Sequence, residues 1–189
     1  MKVDKLIVTC RAALRRKYGN AARSVDEILI EKFLTDSYAE SCFERFDSAE
    51  AQDLIKQLDQ DLLRRYPALQ ATQGLRAEDV ADPNFTFLIA RIDGRAVGCG
   101  ALRVLEPGIS EVKRMFVLPQ FRGRSIGRRI LEALESRARE LNHAAVRLET
   151  GSGQPEAISL YRSAGYRPIA GFGEYAGNPF SLCFEKGLL

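Results

Sequence analysis

The sequence predicts an α/β fold: a mixed, mostly antiparallel central sheet flanked by helices, with a helical extension at the N-terminus. Three observations predict it. In FTFLIARIDGRAVGCGALRVL two strand-like runs meet at Asp93-Gly94, the strongest short hairpin signal a sequence offers. IGRRILEALESRARELN places Ile126, Ile130, Leu134, Ala138 and Leu141 three or four residues apart, the period of a helix with one apolar face. AAVRLET then reads as a strand, so the second half contains a strand-loop-helix-strand crossover behind a largely antiparallel first half.

The elements follow in order. Residues 1–40 read separately from the rest: CRAALRRKYG as a short helix closed by Gly19, and SVDEILIEKFLTDSYAE as a second helix with Ser24 at its N-cap. KLIVT reads equally well as a strand. From residue 41 to 189 the pattern is denser and forms the main domain. SCFERFD alternates like an edge strand, and Asp47 or Ser48 caps a helix whose Ala51, Leu54, Ile55, Leu58 and Leu62 fall at helical spacing before Pro67. Residues 67 to 82 read as loop or weak helix, suited to a mobile segment. ISEVKRMFVLP is a strand after the hairpin, PEAISLYRSAGY a short helix that Gly165 ends, and PFSLCFEK a closing strand.

Composition narrows the function classes. At 189 residues the chain fits one ordinary domain with an appendage, and 46% hydrophobic residues suffice for a sizeable core. No apolar run approaches the roughly 18 residues of a membrane span, and Arg11 interrupts the N-terminal apolar patch before a secretory segment is complete. Cys10, Cys42, Cys99 and Cys183 form no CxxC pair and share a single histidine, His143, so free thiols in a reducing cytoplasm are expected rather than a disulfide framework or a metal site. A formal charge of +3 is too small to argue for nucleic acid over the whole surface.

One stretch demands a ligand. PQFRGRSIGRRI, residues 119 to 130, runs an arginine- and glycine-rich loop into a helix. The first amides of a helix have no intrahelical partner, and the helix dipole adds partial positive charge there, so such an end binds phosphate or pyrophosphate. Gly123 turns the chain at low steric cost, Gly127 permits close approach, and Arg122, Arg124 and Arg128 can add charge-assisted bonds. The plainer alternative is a glycine-containing connection whose arginines face water. The spacing is neither a Walker loop nor the GxGxxG dinucleotide fingerprint.

EVKRMFVLPQFRGRSIGRRILEALESRA resembles the acetyl-CoA-binding segment of GNAT-type N-acetyltransferases, in which a strand leads through Q/R-x-x-G-x-G/A into a helix. Arg122 takes the first signature position and Gly127 the last, while Ser125 stands where the family has its first glycine. QPEAISLYRSAGYRPI resembles the family's second segment, N-x-x-A-x-x-L-Y-x-x-x-G-F/Y, with Gln154 in place of the usual asparagine. Together the matches span roughly residues 41 to 187, and the C-terminal tail is similar to a bacterial small-molecule subgroup.

The resemblance implies an acetyl-CoA-dependent N-acetyltransferase, with no metal, acting on a primary amine of a small molecule or amino acid. In the family the strand before the loop splays from its neighbour, and its free backbone groups hold the pantetheine arm. Met115, Phe116 and Val117 would do so here, an amide near Phe116 polarising the thioester carbonyl, with Arg122, Gly123, Arg124, Ser125, Ile126, Gly127, Arg128 and Gln154 around the remainder of the cofactor. Tyr161 matches the tyrosine that protonates the departing sulfur and also touches the cofactor; a phenol of pKa about 10 suits a thiolate near 8.5. The alternative for Tyr161 is packing beneath Pro168 or Phe172. Glu111, where several family members carry a carboxylate, and Glu149, at the end of LET, are alternative general bases. Either could instead be an ion-pair partner of Arg114 or Arg147.

On the acceptor side, Arg103, Arg114 and Tyr175 could receive a carboxylate, and they could equally be surface residues. Two other classes compete with the enzyme reading. A non-catalytic acyl-CoA sensor would bind without turnover. A nucleic-acid module would use Arg11, Arg15, Arg16, Arg128 and Arg129, a weak signal, because a solvated helix face commonly looks like that. The expected partner is a small-molecule acceptor, with no nucleic acid or membrane, and a homodimer is compatible with the sequence.

Overall fold

The computed structural model describes residues 39–66, 74–75 and 77–188. Both expected N-terminal helices as far as Tyr38, and most of the segment 67–76, lie outside the described residues; Ala39 and Glu40, read as the end of the second helix, belong instead to a strand. All described elements belong to one unit, Ala39–Leu189. In chain order they are β1 (Ala39–Glu44), α1 (Ala49–Arg65), α2 (Ala77–Ala81), β2 (Thr86–Ile92), β3 (Arg95–Glu106), β4 (Ile109–Val117), α3 (Ile126–Glu140), β5 (Ala145–Gly151), α4 (Pro155–Ser163), β6 (Arg167–Ile169) and β7 (Ser181–Gly187). Short 3-10 turns at Pro119–Phe121 and Gly173–Tyr175 complete the set.

The seven strands form one sheet in the order β1-β2-β3-β4-β5-β7-β6. Every neighbouring pair is antiparallel except β4 and β5, which α3 joins as a crossover. The fold is therefore the mixed, mostly antiparallel α/β sheet with flanking helices. Two elements add to the order read from sequence. Residues of the short α2 carry no apolar periodicity, and β6 is three residues long with Pro168 at its centre, a residue tolerated only at a sheet edge.

Both faces of the sheet are covered, which explains why β2 is nearly continuously buried instead of alternating. On one face α3 and α4 bury Ile130, Leu131, Leu134 and Tyr161 against Leu102, Val112, Leu148 and Phe184. On the other, α1 buries Ala51, Leu54, Ile55 and Leu58 against Phe87, Ile89, Ala101 and Phe116. Each fully buried leucine stabilises the fold by roughly 1.5–3 kcal/mol relative to exposure. Ser48 caps α1, its hydroxyl accepting from the Ala51 amide at 3.3 Å, while Asp47 pairs with Arg45. The Asp93-Gly94 turn closes the β2-β3 hairpin with both residues at positive φ, as such turns require.

Candidate active site

The centre of the sheet opens where its two parallel strands part. β4 and β5 pair from Ile109–Ala145 to Val112–Leu148 and no further, although β5 continues beside β7 to Gly151 and β4 continues beside β3 to Val117. Met115, Phe116 and Val117 thus keep β3 on one side and, among the described residues, face no strand on the other. A bulge accompanies the divergence: between the pairs Cys99–Phe116 and Ala101–Lys113, one residue of β3, Gly100, faces two of β4, Arg114 and Met115. Arg114 takes up the extra length at φ 58°, a left-handed conformation in which non-glycine residues are uncommon. Gly98 makes the arrangement possible, since a Cβ there would lie 2.7 Å from the Phe116 carbonyl oxygen and 3.2 Å from Ile130 Cδ1.

Beyond β4 the chain turns through Pro119–Phe121 into the arginine loop. Gly123 has φ 77° and Ser125 φ 59°, so the path to α3 is left-handed at both positions. Ser125 occupies the N-cap of α3 but its side chain makes no capping bond, and the first α3 bond from this cap runs from the Arg129 amide to the Ser125 carbonyl at 3.1 Å. The Ile126, Gly127 and Arg128 amides precede that bond, as unpaired donors at a helix N-terminus do. The Ile126 side chain is buried, leaving only its backbone for a ligand. Arg124 lies over the Phe121 ring, 5.5 Å from its centroid, and Arg128 reaches the Ser163 hydroxyl.

Arg122 turns back on the protein. Its Nε donates to the Val117 carbonyl at 3.0 Å, its Nη2 to Asp61 at 3.1 Å, and its guanidinium lies over the Phe116 ring. Burial pushes the Asp61 carboxyl up, but Arg122, Arg65 and Arg64 outweigh it and hold the group below its ordinary range. The same end of α1 reaches the far side of the opening. The Gly153 amide donates to the Tyr66 hydroxyl at 2.9 Å, and Arg65 pairs with Glu156 at the start of α4. Gln154 precedes α4, its carbonyl accepting from the Ala157 and Ile158 amides at 3.1 Å each.

On the α1 face of the sheet the structure gathers a chain of ionisable groups. Arg103 joins Asp79 at 2.7 Å and Glu111 at 2.6 Å; the other Glu111 oxygen accepts from the Tyr175 hydroxyl at 2.8 Å. Lys113 donates to that same hydroxyl at 2.8 Å and to Glu174 at 2.9 Å. Glu111 is fully buried, and both of its oxygens are engaged. Burial, with Glu111 next, pushes the Tyr175 phenol up, so it stays protonated as a donor. Glu149 sits on β5 beside these groups, one residue past the last β4–β5 pair. Burial pushes its carboxyl up, opposed by a Ser181 hydrogen bond and Lys113, and assisted by Glu111 and Glu174.

Tyr161 comes from α4 and is 4% exposed, its ring packed edge-on to Tyr166 at 6.0 Å and tilted against Phe184 at 6.4 Å. Burial, then the Glu149 carboxylate, pushes its phenol up. Cys99 and Cys183 are free, buried thiols.

The residues singled out in the sequence therefore fall into four places: Arg122 to Arg128 running from the loop into the first turn of α3, Met115 to Val117 on the free β4 edge, Gln154 and Tyr161 at the start and within α4, and Arg103, Glu111, Glu149 and Tyr175 on the α1 face. Arg114 stands apart from that last network, held by Asp59 of α1 at 2.8 Å. Asp59, Asp61, Tyr66, Asp79, Lys113 and Glu174 escape a reading of sequence. The one local hint is Gly-Ser-Gly at 151–153, where a Cβ on Gly151 would overlap the Tyr66 hydroxyl.

A sheet parted at its centre, beside a helix start without a side-chain cap, is the architecture of an acyl-CoA-dependent acyltransferase. The chain belongs to the acetyltransferase (GNAT) family, whose model matches residues 38–166, and is an N-acetyltransferase. It is 46% identical to the IAA acetyltransferase of Azospirillum brasilense over 136 residues, 71% of this chain and 88% of that one. With the aminoalkylphosphonate N-acetyltransferase of Salmonella typhimurium it shares 28% identity over 131 residues, 67% of this chain and 85% of that one. A solved structure from Klebsiella pneumoniae, grouped with the acyl-CoA N-acyltransferases, is 34% identical with a TM-score of 0.68, covering 82% of this chain and all (100%) of that one. A Bacillus subtilis acetyltransferase solved in complex with CoA shares the fold at a TM-score of 0.60 and 15% identity, covering 80% of this chain and 100% of that one.

Proposed function

We propose that the protein transfers the acetyl group of acetyl-CoA to a primary amine of a small molecule by direct attack of the amine on the thioester. The observation that carries this reading is a β4 edge left free beyond Val112, one loop away from an uncapped α3 N-terminus. The residues present fit coenzyme A. The α3 amides, with Arg124 and Arg128, form an anion site for the pyrophosphate, and the backbone of Met115, Phe116 and Val117 supplies hydrogen-bonding groups for the pantetheine amides. The Phe116 region offers an amide to the carbonyl oxygen as negative charge develops there. Arg122 holds the end of β4 in position through the Val117 carbonyl.

Glu149 takes the role of base. A carboxyl raised by burial is a better match to an amine proton, whereas both Glu111 oxygens are committed to Arg103 and Tyr175. Glu149 accepts the proton released as the C–N bond forms; the C–S bond breaks, and the sulfur takes the Tyr161 proton. Glu111 then serves to fix Arg103 and Tyr175. The reaction runs in the cytoplasm without metal, nucleic acid or membrane.

The test is release of free CoA thiol from acetyl-CoA across a panel of primary amines, with thermal melting in CoA alongside. CoA at a hundredfold excess over its Kd should stabilise the protein by about 2.7 kcal/mol. Tyr161→Phe should keep that stabilisation and lose turnover by about a hundredfold, the lower end of what a positioned acid contributes. Absence of any CoA-induced shift overturns the reading. A shift with no turnover on any amine supports an acyl-CoA sensor instead.

A further inference from the structure

We infer that the acceptor amine carries a carboxylate, and that Arg114 is the residue that selects it. The inference rests on the acetyl-transfer reading above and adds the acceptor's chemical class. Of the three side chains that sequence offers for such an anion, two are spent within the protein. Arg103 holds Asp79 and Glu111, and the Tyr175 hydroxyl lies between Lys113 and Glu111. Arg114 is different. Its side chain is 9% exposed, its Nη1 donates to Asp59 at 2.8 Å, and its Nε is buried with no hydrogen-bond partner among the described residues.

A buried, unpaired donor on a permanently charged group is costly, and native proteins rarely leave one without a purpose. The unpaired Nε belongs to the edge of the guanidinium that, with Nη2, presents two parallel N–H groups, the geometry that grips a carboxylate in a bidentate manner. Asp59 fixes the opposite corner, so the edge is oriented before a ligand arrives.

Position supports the same conclusion. Arg114 is the left-handed bulge residue of β4, two residues past the last β4–β5 pair, and Glu149 is one residue past it on β5. The two stand on opposite walls of the opening at the level where the strands separate. Paired strands lie about 4.8 Å apart, and these have begun to diverge. An acceptor bridging them presents its amine to Glu149 and its carboxylate to Arg114, which describes an amino acid or a short ω-amino acid. An amine lacking the anion leaves the Arg114 Nε donor buried and unsatisfied beside the Asp59 pair, so the site selects against it as well as failing to attract it.

The experiment compares acids with their carboxamides on the unaltered protein: glycine, β-alanine, L-leucine, L-phenylalanine and L-glutamine, each beside its carboxamide, followed by CoA release. At least one acid should exceed its amide in kcat/KM by about ten- to a hundredfold, most of it in KM, as expected for a charge-assisted bidentate contact. Arg114→Gln should collapse that ratio towards one, while Arg114→Lys keeps part of it. Ratios near one in the unaltered protein, or a ratio that survives Arg114→Gln in a folded variant, overturn the inference. A protein that turns over no amine is titrated with the N-acetylated acids and amides by calorimetry. Tighter binding of the acids, lost in Arg114→Gln, would keep the carboxylate site and remove only the catalytic reading; equal or absent binding overturns the inference.

Discussion

Ser125 and Gly123 offer a test of the anion site with opposite signs. Ser125 stands at φ 59° and ψ 10°, where an L-residue is disfavoured by roughly 1–2 kcal/mol, and its hydroxyl returns nothing by capping α3. Ser125→Gly removes that strain, while the added freedom of glycine in the unfolded chain takes back about 0.5–1 kcal/mol. The net expectation is a gain of up to about 1 kcal/mol, or about 2–4 °C in melting temperature for a chain of this size. Gly123→Ala is the mirror experiment. At φ 77° with no atom within 4 Å of a Cβ, the substitution meets no clash; backbone strain of about 1–2 kcal/mol is partly offset by about 0.5–1 kcal/mol from the stiffer unfolded chain, so the net loss should be up to about 1 kcal/mol. Thermal melts of the two variants, with and without CoA, read both the stability and the alignment of the amides. Should Gly123→Ala melt like the unaltered protein while Ser125→Gly loses stability, the left-handed entry to α3, and the anion site built on it, is wrong.

Two further outcomes follow from the site. The acid limb of the pH–rate profile should lie above the ordinary carboxylate range near 4.3, because burial raises Glu149 and the amine proton can be accepted only by its ionised form; activity is lost as pH falls through that raised value, and Glu149→Gln should remove the limb along with about 10²- to 10⁴-fold in rate. Gly98→Ala sets a Cβ against the Phe116 carbonyl, a backbone atom that can yield only by moving β4; a loss of about 1–3 kcal/mol by urea denaturation is expected, together with weaker CoA binding if the displaced strand holds the pantetheine arm as proposed.

Much of the fold was legible because its signals are local. The Ser48 cap, the Asp93-Gly94 turn and the α3 periodicity each involve residues within a few positions of one another, and each appears in the structure. The turn from the arginine loop into α3 was legible for the same reason, since its residues are consecutive. Ion pairing was not. Arg103 meets Asp79 from 24 residues away, Arg114 meets Asp59 from 55, and Arg122 meets Asp61 from 61. Nothing in the spacing of these residues specifies such contacts; the docking of α1 and α2 on the sheet does. For that reason Arg103 and Arg114 look equivalent in sequence, and only three-dimensional placement shows one saturated and the other with a donor to spare.

The same pairs assign α1 a role beyond covering the core. Asp59 and Asp61 are two residues apart, which on a helix directs them about 200° around the axis. Yet each holds an arginine of the opening: Asp59 the bulge residue Arg114, Asp61 the loop residue Arg122. The helix therefore passes between the two arginines and fixes one on each flank, while its buried stripe of Leu54, Ile55 and Leu58 anchors it to the sheet and Tyr66 pins its end to Gly153. Partial burial gives these pairs more weight than exposed ion pairs, which contribute about 0–1 kcal/mol. A single helix thus couples the residue proposed to read the acceptor to the residue that steadies the end of β4, and a shift of α1 would disturb both together.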